Sequence, residues 1–168
     1  IPLWYFNKGA ETTKAMQALG RDDAKIMHTK DGQRGTVVLE DSTAVRMGSS
    51  TTVKYPKSYP LDAHALQVLG AAAIKAPKTS SPLLVKVGNA WVYANDAEFI
   101  ARSFADDSNS AMLKTLSGSV TVKFEKTQKE LAAGSTMKVL ANGTFMDLDA
   151  DRAKLAFDWT DGNFVSEN

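Results

Sequence analysis

Short runs of alternating apolar and polar residues fill most of the chain between residues 36 and 139. A period of two is typical of strands with one buried face, and the runs are separated by residues that favour turns. Strands are predicted at 36–39, 44–47, 52–55, 83–87, 90–93, 99–104, 112–116, 119–124 and 136–139. This regular spacing predicts an all-β fold, and we expect an antiparallel two-sheet sandwich, jelly-roll-like, with a short N-terminal helix.

Three segments have the composition of hairpin turns. Gly88-Asn89 is a two-residue loop whose positive φ angles would match the twist of its flanking strands. The side chains of Glu40, Asp41 and Ser42 can bond their own backbone, which favours a turn between 36–39 and 44–47. Asp31-Gly32 also fits a tight hairpin turn.

Two further segments are less regular. Pro56 ends the strand at 52–55, and because proline cannot donate to a ladder, we expect residues 56–60 at an edge or over the surface. In residues 65–75 the apolar positions alternate imperfectly around Gly70, and the alanines permit a helix as well as a strand.

The amino end is predicted to be partly helical. Residues 11–19 place apolar side chains at spacings of three and four, and Gly20 can end such a helix. Residues 1–8 concentrate aromatics beside the first lysine, which suits the exit of a membrane-spanning helix but equally an edge segment packed under the domain. Because the chain begins with isoleucine, we expect that residues have been removed from its amino end.

The composition and charge limit the number of domains and exclude several kinds of partner and site. The 168 residues, 43% of them apolar, suffice for one domain with a genuine core. With 20 basic and 19 acidic residues the formal charge is +1, so nucleic acid is an unfavourable partner. The absence of cysteine excludes disulfides and thiolate metal sites, and fits a cytoplasm or a periplasm equally well.

Residues that could do chemistry do not form a recognisable constellation in the sequence. His28 and His64 lack the close neighbours of a metal pair and are expected to be ordinary surface or edge histidines. The serines beside glycines form no nucleophile elbow. The acidic pairs at 22–23, 40–41 and 106–107 fall in predicted loops, where water would solvate them, so no acid/base pair is indicated.

Two local patterns resemble known motifs only in part. Asp147, Asp149 and Asp151, with Asp158 eleven positions after the first, approach the ligand spacing of a calcium loop, but Arg152 stands where the sharp turn needs glycine. A polar turn and helix N-terminus is therefore the preferred interpretation. The glycosylation pattern of residues 142–144 is interpreted as a turn.

The order of several segments resembles the periplasmic domain of FecR-type proteins, the ferric-citrate-regulator family of membrane-spanning sigma-factor regulators. Residues 36–47 are similar to that family's strand, Asp-Gly-Ser turn and strand. The other similar segments, in chain order, are 49–56, 66–72, 84–86, 115–122, 131–134 and 159–164. The resemblance implies an N-terminal or juxtamembrane segment at 1–30 and a FecR-type β domain at 31–168.

The chain departs from the family pattern at three places. Asp41-Ser42-Thr43 replaces Asp-Gly-Ser, and Gly70-Ala71 replaces Gly-Glu. Some family members cleave themselves at a Gly-Thr step ahead of a phenylalanine-containing strand, by attack of the threonine hydroxyl on the preceding carbonyl. The corresponding place here is Asn95-Asp96, before Phe99, so no self-cleavage is expected there.

The resemblance implies a relay and no enzymatic activity, cofactor, catalytic residue or metal. Such proteins bind an extracytoplasmic-function sigma factor through a cytoplasmic part and cross the inner membrane once. Beyond the β domain, a small terminal domain docks on the signalling domain of an outer-membrane TonB-dependent transducer. The implied localisation is periplasmic, anchored by a helix preceding residue 1, with residues 159–164 at the seam where the terminal domain would begin.

A second interpretation stays open, in which the sandwich binds a carbohydrate or another small ligand. Trp91, Tyr93 and Trp159 would then be stacking platforms, although aromatics that alternate within strands are mostly core residues. For the relay, strand edges near residues 55–59 or at the chain ends are the expected docking places.

Overall fold

One helix and fourteen strands make up the part of the protein described by its structure, a computed structural model: residues 3–61, 63–103 and 109–148, with side chains from residue 11 onward. Helix α1 covers Leu3–Leu19. The strands are β1 Lys25–His28, β2 Gly35–Val38, β3 Ala44–Met47, β4 Thr52–Tyr55, β5 Ala65–Leu69, β6 Ala71–Ala76, β7 Leu83–Val87, β8 Ala90–Ala94, β9 Ala97–Ser103, β10 Ala111–Ser117, β11 Ser119–Phe124, β12 Thr127–Ala132, β13 Thr136–Val139 and β14 Phe145–Leu148.

The strands form two seven-stranded sheets. Sheet A has the order β1-β4-β5-β7-β8-β11-β12, and sheet B has the order β2-β3-β6-β9-β10-β13-β14. Neighbouring strands are antiparallel except β5 and β7, which run parallel because the chain crosses to sheet B as β6 between them. The expected two-sheet sandwich is confirmed, with this one parallel pair.

The core lies between the two sheets, where alternate residues of each strand meet. Leu66, Val85 and Val92 of sheet A and Ile74 and Phe99 of sheet B all have an exposed fraction of 0%. Their partners in register on adjacent strands are also apolar, except Thr115 opposite Phe99, whose buried hydroxyl donates to the Leu131 carbonyl. The period of two in the sequence therefore arises because alternate residues of each strand face this core.

Helix α1 covers part of the outer face of sheet A and builds a second, smaller core there. Ala15, Ala18 and Leu19 of α1 are buried in it. The other members of this core are Ala63, Ala65, Leu84, Trp91 and Tyr93. The predicted helix is confirmed over residues 11–19, but α1 begins earlier, so residues 3–8 also belong to it. The described part of the chain contains no helix with the length and hydropathy needed to cross a bilayer.

Both hairpins predicted from strand–turn–strand patterns are present. Val38 pairs with Ala44 in the β2–β3 hairpin, and Val87 pairs with Ala90 in the β7–β8 hairpin. Gly88 has φ of 57°, and a Cβ placed there would lie 2.6 Å from the carbonyl oxygen of Asn109. Glycine at this turn is thus required both by backbone conformation and by close approach of the β9–β10 connection.

Two expectations about connections are wrong in part, and one open alternative is decided. Asp31-Gly32 is a turn, but it links β1 and β2 of different sheets and makes no hairpin. In residues 65–75 the strand alternative is confirmed over the helix, as two strands in different sheets joined by Gly70 at φ of 113°. Residues 56–60 do not simply run over the surface, because Tyr59 is buried with 3% of its area exposed.

Two polar strands, β12 and β14, are not predicted from the sequence. No strand is predicted between 119–124 and 136–139, yet residues 127–132 form β12, whose residues are exposed apart from Leu131. Asp147, expected in a polar turn at a helix N-terminus, lies in β14. Both are edge strands of their sheets, where half of the backbone groups face no neighbour and few side chains need burial.

Candidate functional site

The most elaborate polar arrangement in the described chain is a cluster of Asp41, Thr43, Tyr59 and His64, which we call the Asp41 cluster. The β2–β3 turn supplies Asp41 and Thr43, and the β4–β5 connection supplies Tyr59 and His64. The Tyr59 hydroxyl donates to Asp41 Oδ2 at 2.8 Å, and the Thr43 amide donates to Asp41 Oδ1 at 3.1 Å. The Thr43 hydroxyl lies 3.1 Å from Tyr59 Oη and can donate to it. The cluster thus ties a hairpin of sheet B to a connection of sheet A.

His64 extends the cluster to a third segment. Its Nε2 lies 2.7 Å from Asp41 Oδ2. Its Nδ1 lies 3.1 Å from the carbonyl oxygens of both Ser81 and Pro82, just before β7. Each ring nitrogen of His64 therefore faces oxygen acceptors, a carboxylate on one side and two backbone carbonyls on the other. The histidine side chain is 12% exposed, so the expectation of an ordinary surface or edge histidine is wrong for His64.

The carboxyl group of Asp41 is also not the freely solvated loop acid that the sequence predicts. Only 10% of its side chain is exposed. Burial alone would raise the pKa of Asp41, but hydrogen bonds from Tyr59, Thr43 and His64 outweigh burial and lower that pKa below its ordinary value. Burial, together with the neighbouring Asp41 carboxylate, raises the pKa of Tyr59, so the phenol stays a donor.

Asp41→Asn should lower the free energy of unfolding by about 1–3 kcal/mol at neutral pH, because a charged acceptor of several hydrogen bonds is lost. Since the folded-state pKa is depressed, the contribution of the carboxylate is present above the ordinary aspartate pKa of about 3.9 and is lost as pH falls through the folded value. Urea unfolding at pH 7 and at about pH 2.5 measures this, and the difference between wild type and variant should shrink at the lower pH. A constant difference would contradict the assignment, and Asp22→Asn, at an exposed carboxyl, is the matched control.

Two cavities flank α1 on the outer face of sheet A. One, of about 270 Å³, lies between α1 and the segments at 60–65 and 81–84, beside His64. The other, of about 430 Å³, has a polar lining that includes Glu11, Asn95, Thr121 and Glu130. Small-molecule sites are lined mainly by apolar and aromatic side chains and measure about 300–1,000 Å³. The first cavity is smaller than this range, and most of the residues that line the second are polar.

The aromatic platforms expected for carbohydrate binding are not open surfaces where the structure describes them. Trp91 and Tyr93 are 9% and 8% exposed, and both pack in the core beneath α1. Burial, helped by the Glu11 carboxylate, raises the pKa of Tyr93 to about 12. Trp159 lies outside the described residues. The two described rings therefore hold α1 on the sheet.

Asp147 has a structural partner of its own. The Lys129 ammonium lies 2.7 Å and 2.5 Å from the two carboxylate oxygens of Asp147, which joins edge strand β12 of sheet A to edge strand β14 of sheet B. The other acids of the calcium-like pattern lie outside the described residues. Within the described part of the chain, no three metal-ligating side chains come together. The segment at 142–144 is the β13–β14 turn, as predicted.

His28 matches its predicted role as an edge histidine. It is exposed on β1, and its Nδ1 lies 2.9 Å from the Thr52 hydroxyl of β4. The edge predicted near residues 55–59 is covered, because Lys25 of β1 pairs with Tyr55. The sheet edges in the described chain are β1 and β12 in sheet A and β2 and β14 in sheet B.

Asn95-Asp96, the position that corresponds to the self-cleavage step of some relatives, forms the turn from β8 to β9. The Asn95 side-chain amide exchanges hydrogen bonds of 2.9 Å with the backbone of Thr79, and the Asp96 amide donates to the Pro77 carbonyl at 3.3 Å. Neither residue offers a hydroxyl that could attack the preceding carbonyl.

The purified protein should remain a single band after days at neutral pH, because Asn95-Asp96 lacks the hydroxyl nucleophile. Denaturing gel electrophoresis with intact mass measurement checks this. Fragments that end at Asn95 and begin at Asp96 would contradict it. Asp96→Thr is the informative companion variant, because it restores a hydroxyl at the same turn.

Comparison with known proteins gives one family match. The model of the family described as FecR protein matches residues 25–121, which is more than half of the chain and runs from β1 into β11. This family is regulatory and non-enzymatic, which agrees with the expectation that the chain is no enzyme. No curated protein matches the chain.

Two crystal structures share the fold. Both are of a candidate anti-sigma factor from Parabacteroides distasonis, determined at 2.50 Å and 1.65 Å resolution. The first has a TM-score of 0.71 at 20% identity, over 83% of this chain and 65% of that one. The second has a TM-score of 0.70 at 21% identity, over 82% and 65%. The chain thus spans somewhat less than two thirds of the length of the proteins it matches.

Proposed function

The chain belongs to the FecR family, and from this premise we propose that it is the periplasmic relay module of a transmembrane anti-sigma regulator. In this role it couples the signalling domain of an outer-membrane TonB-dependent transducer to an extracytoplasmic-function sigma factor. The transducer is contacted by a terminal domain, and the sigma factor by a cytoplasmic part. The anchor in the inner membrane is a helix that precedes residue 1.

The single observation that carries the proposal is the extent of the family match over the sandwich. Residues 25–121 contain all strands from β1 to β10 and the start of β11, so strands of both sheets belong to the matched unit. The shared fold of the Parabacteroides distasonis protein, a candidate anti-sigma factor, supports the same role.

The described geometry suits a module that transmits displacement. Helix α1 precedes the sandwich and is fixed to sheet A through Ala15, Ala18 and Leu19. The Asp41 cluster ties a hairpin of sheet B to a connection of sheet A, and the Lys129–Asp147 ion pair joins an edge strand of each sheet. These contacts join α1 and the two sheets into one packed unit, as a relay of displacement requires.

The second function considered, carbohydrate binding, is less well supported by the described residues. Its two described platforms, Trp91 and Tyr93, would have to lose their contact with α1 before a sugar ring could stack on them.

Co-purification with the native full-length protein tests the proposed function. Tagged protein should retain the sigma factor through its cytoplasmic part and the signalling domain of the transducer through its terminal domain. Genes for such a sigma factor and a TonB-dependent receptor should flank its own gene. Retention of neither partner, with both proteins folded and present, would contradict the proposal.

A further inference from the structure

Four buried apolar residues belong to neither of the two cores. They are Ala71 and Ala73 on β6, Ile100 on β9 and Met112 on β10. Each has between 4% and 7% of its area exposed. Their neighbours along the strands, among them Ala72, Phe99 and Leu113, face the main core between the sheets. Because successive side chains of a strand point to opposite faces, the four residues lie on the outer face of sheet B.

Four basic residues stand among them on the same face. Register arranges the eight residues in two rows across the strands. The first row is Arg46, Ala73, Ile100 and Lys114, and the second is Ala71, Arg102, Met112 and Lys138. Neither row contains an acidic residue, even where it continues onto β2, β13 and β14. We call these eight residues the sheet B patch.

No helix or strand of the described chain lies over the sheet B patch. Helix α1 packs on the opposite side of the sandwich, against sheet A, and the described strands all lie within the two sheets. The apolar members of the patch are nevertheless buried more fully than Trp91 and Tyr93 beneath α1. Lysine and arginine stems can cover apolar neighbours, but the four cations of the patch are themselves only partly exposed. This burial indicates that another segment covers the patch.

We propose that the segment after the last described strand, residues 149–161, docks on the sheet B patch. Leu148 ends β14 at the edge of sheet B and stands in register with the first row of the patch. Strand β9 lies three strands from β14, about 14 Å away, and the seven residues from Leu148 to Leu155 extend up to about 23 Å. The segment is therefore long enough to turn onto the outer face and reach Ile100.

The sequence of this segment complements the patch in charge and apolar character. With a period of two, one side of the segment carries Asp149, Asp151, Leu155, Phe157 and Trp159. Arg152 and Lys154 fall on the other side. An extended segment therefore presents acids and then large apolar side chains to the sheet, and turns its own cations to solvent. The acids reach Lys138 and Lys114 on the strands nearest β14, and the apolar side chains reach Ile100 beyond them.

The proposal rests on the sandwich and the segment that follows it, and it does not depend on the regulator role. Distances between paired spin labels test it, because a chain without cysteine accepts labels only at engineered positions. In the intact chain, labels at Lys75→Cys and Thr160→Cys should give one narrow distance distribution at about 20 Å, for a segment packed one layer of about 10 Å above sheet B. Lys75 is exposed on β6 beside the patch.

A second label pair provides the geometric control. Lys54→Cys places the first label on the outer face of sheet A, so its distance to Thr160→Cys should be longer by at least about 10 Å, the thickness of one further layer. Near-UV circular dichroism verifies that each labelled protein is folded.

Two substitutions in the segment separate specific docking from chance proximity. Phe157→Asp places a charge against the apolar part of the patch and should broaden the distribution between positions 75 and 160. Ala156→Asp adds the same charge on the other side of the segment and should leave that distribution unchanged. A broad distribution without either substitution, or equal effects of the two, would overturn the proposal. A short distance that disappears on dilution with unlabelled protein would assign the patch to the segment of a second copy and would also overturn it.

Discussion

Replacing Phe99 with alanine should lower the free energy of unfolding by about 3–5 kcal/mol. Phe99 heads the fully buried side chains by volume, with 0% of its area exposed. It lies on β9, which is paired on both sides, with Ile74 of β6 and Thr115 of β10 opposite it. Strands held on both sides cannot easily move into the cavity that the ring would leave, so little of the cost would be recovered by relaxation.

Because domains of this kind have a total stability of about 5–15 kcal/mol, this loss would leave the Phe99→Ala variant marginally folded. Urea unfolding followed by circular dichroism measures the difference from the shift in midpoint at constant slope. Glu98→Ala is the matched control on the same strand, because Glu98 faces outward beside Lys75 and should cost less than about 1 kcal/mol. Equal costs at the two positions would contradict the register of β9.

Ala18→Arg should detach α1 from sheet A while leaving the sandwich folded. Ala18 is 2% exposed in the small core that also contains Trp91 and Tyr93. A long cationic side chain has no room and no counter-charge there, and burying it unpaired would cost several kcal/mol, so release of the helix is the cheaper outcome. The main core lies between the sheets and does not include Ala18.

The detachment can be measured by limited proteolysis and tryptophan fluorescence. Trypsin should cut after Lys14 in the Ala18→Arg variant well before it cuts the sandwich, and the emission of Trp91 should shift towards that of an exposed indole. Gln17→Arg is the control, since Gln17 is the exposed neighbour on the same helix. Cleavage at Lys14 at the wild-type rate in the Ala18→Arg variant would show that α1 stays docked.

The sequence predicts the strands of the sandwich well where one face is buried, because burial imposes a period of two. The β7–β8 hairpin is the clearest case, since Gly88-Asn89 also specifies the turn. The sequence does not predict which of the two sheets a strand joins. Nothing local in residues 65–75 indicates that β5 joins sheet A and β6 joins sheet B, because that choice depends on partners distant in the chain. The polar edge strands β12 and β14 are not predicted, because so few of their side chains are buried that the sequence shows no period of two.

The Asp41 cluster could not be predicted because its members look like ordinary loop residues. Asp41 meets Tyr59 and His64 across 18 and 23 positions of the chain. Only the fold brings these side chains together, and only burial makes their hydrogen bonds strong. A weak signal was present in the aromatic Tyr59 between two prolines, where a fully exposed loop would rarely place a large ring.

The alignment of side chains across sheet A shows the same limit. Lys54, Lys86 and Lys123 are separated by more than thirty positions each, and in the sequence they read as the polar halves of three unrelated strands. The register of four intervening pairings places them on one line. Surfaces that depend on register therefore become visible only with the structure.

Transcription from a promoter of the cognate sigma factor tests most directly the claim that this domain relays a signal to its anchor through α1. The reporter is followed, with and without the inducing nutrient, in cells whose only copy of the native full-length protein carries Ala18→Arg or Gln17→Arg. We predict that both variants accumulate to the wild-type level, that Gln17→Arg responds normally, and that Ala18→Arg no longer responds. A normal response from Ala18→Arg with α1 shown to be detached would contradict the claim.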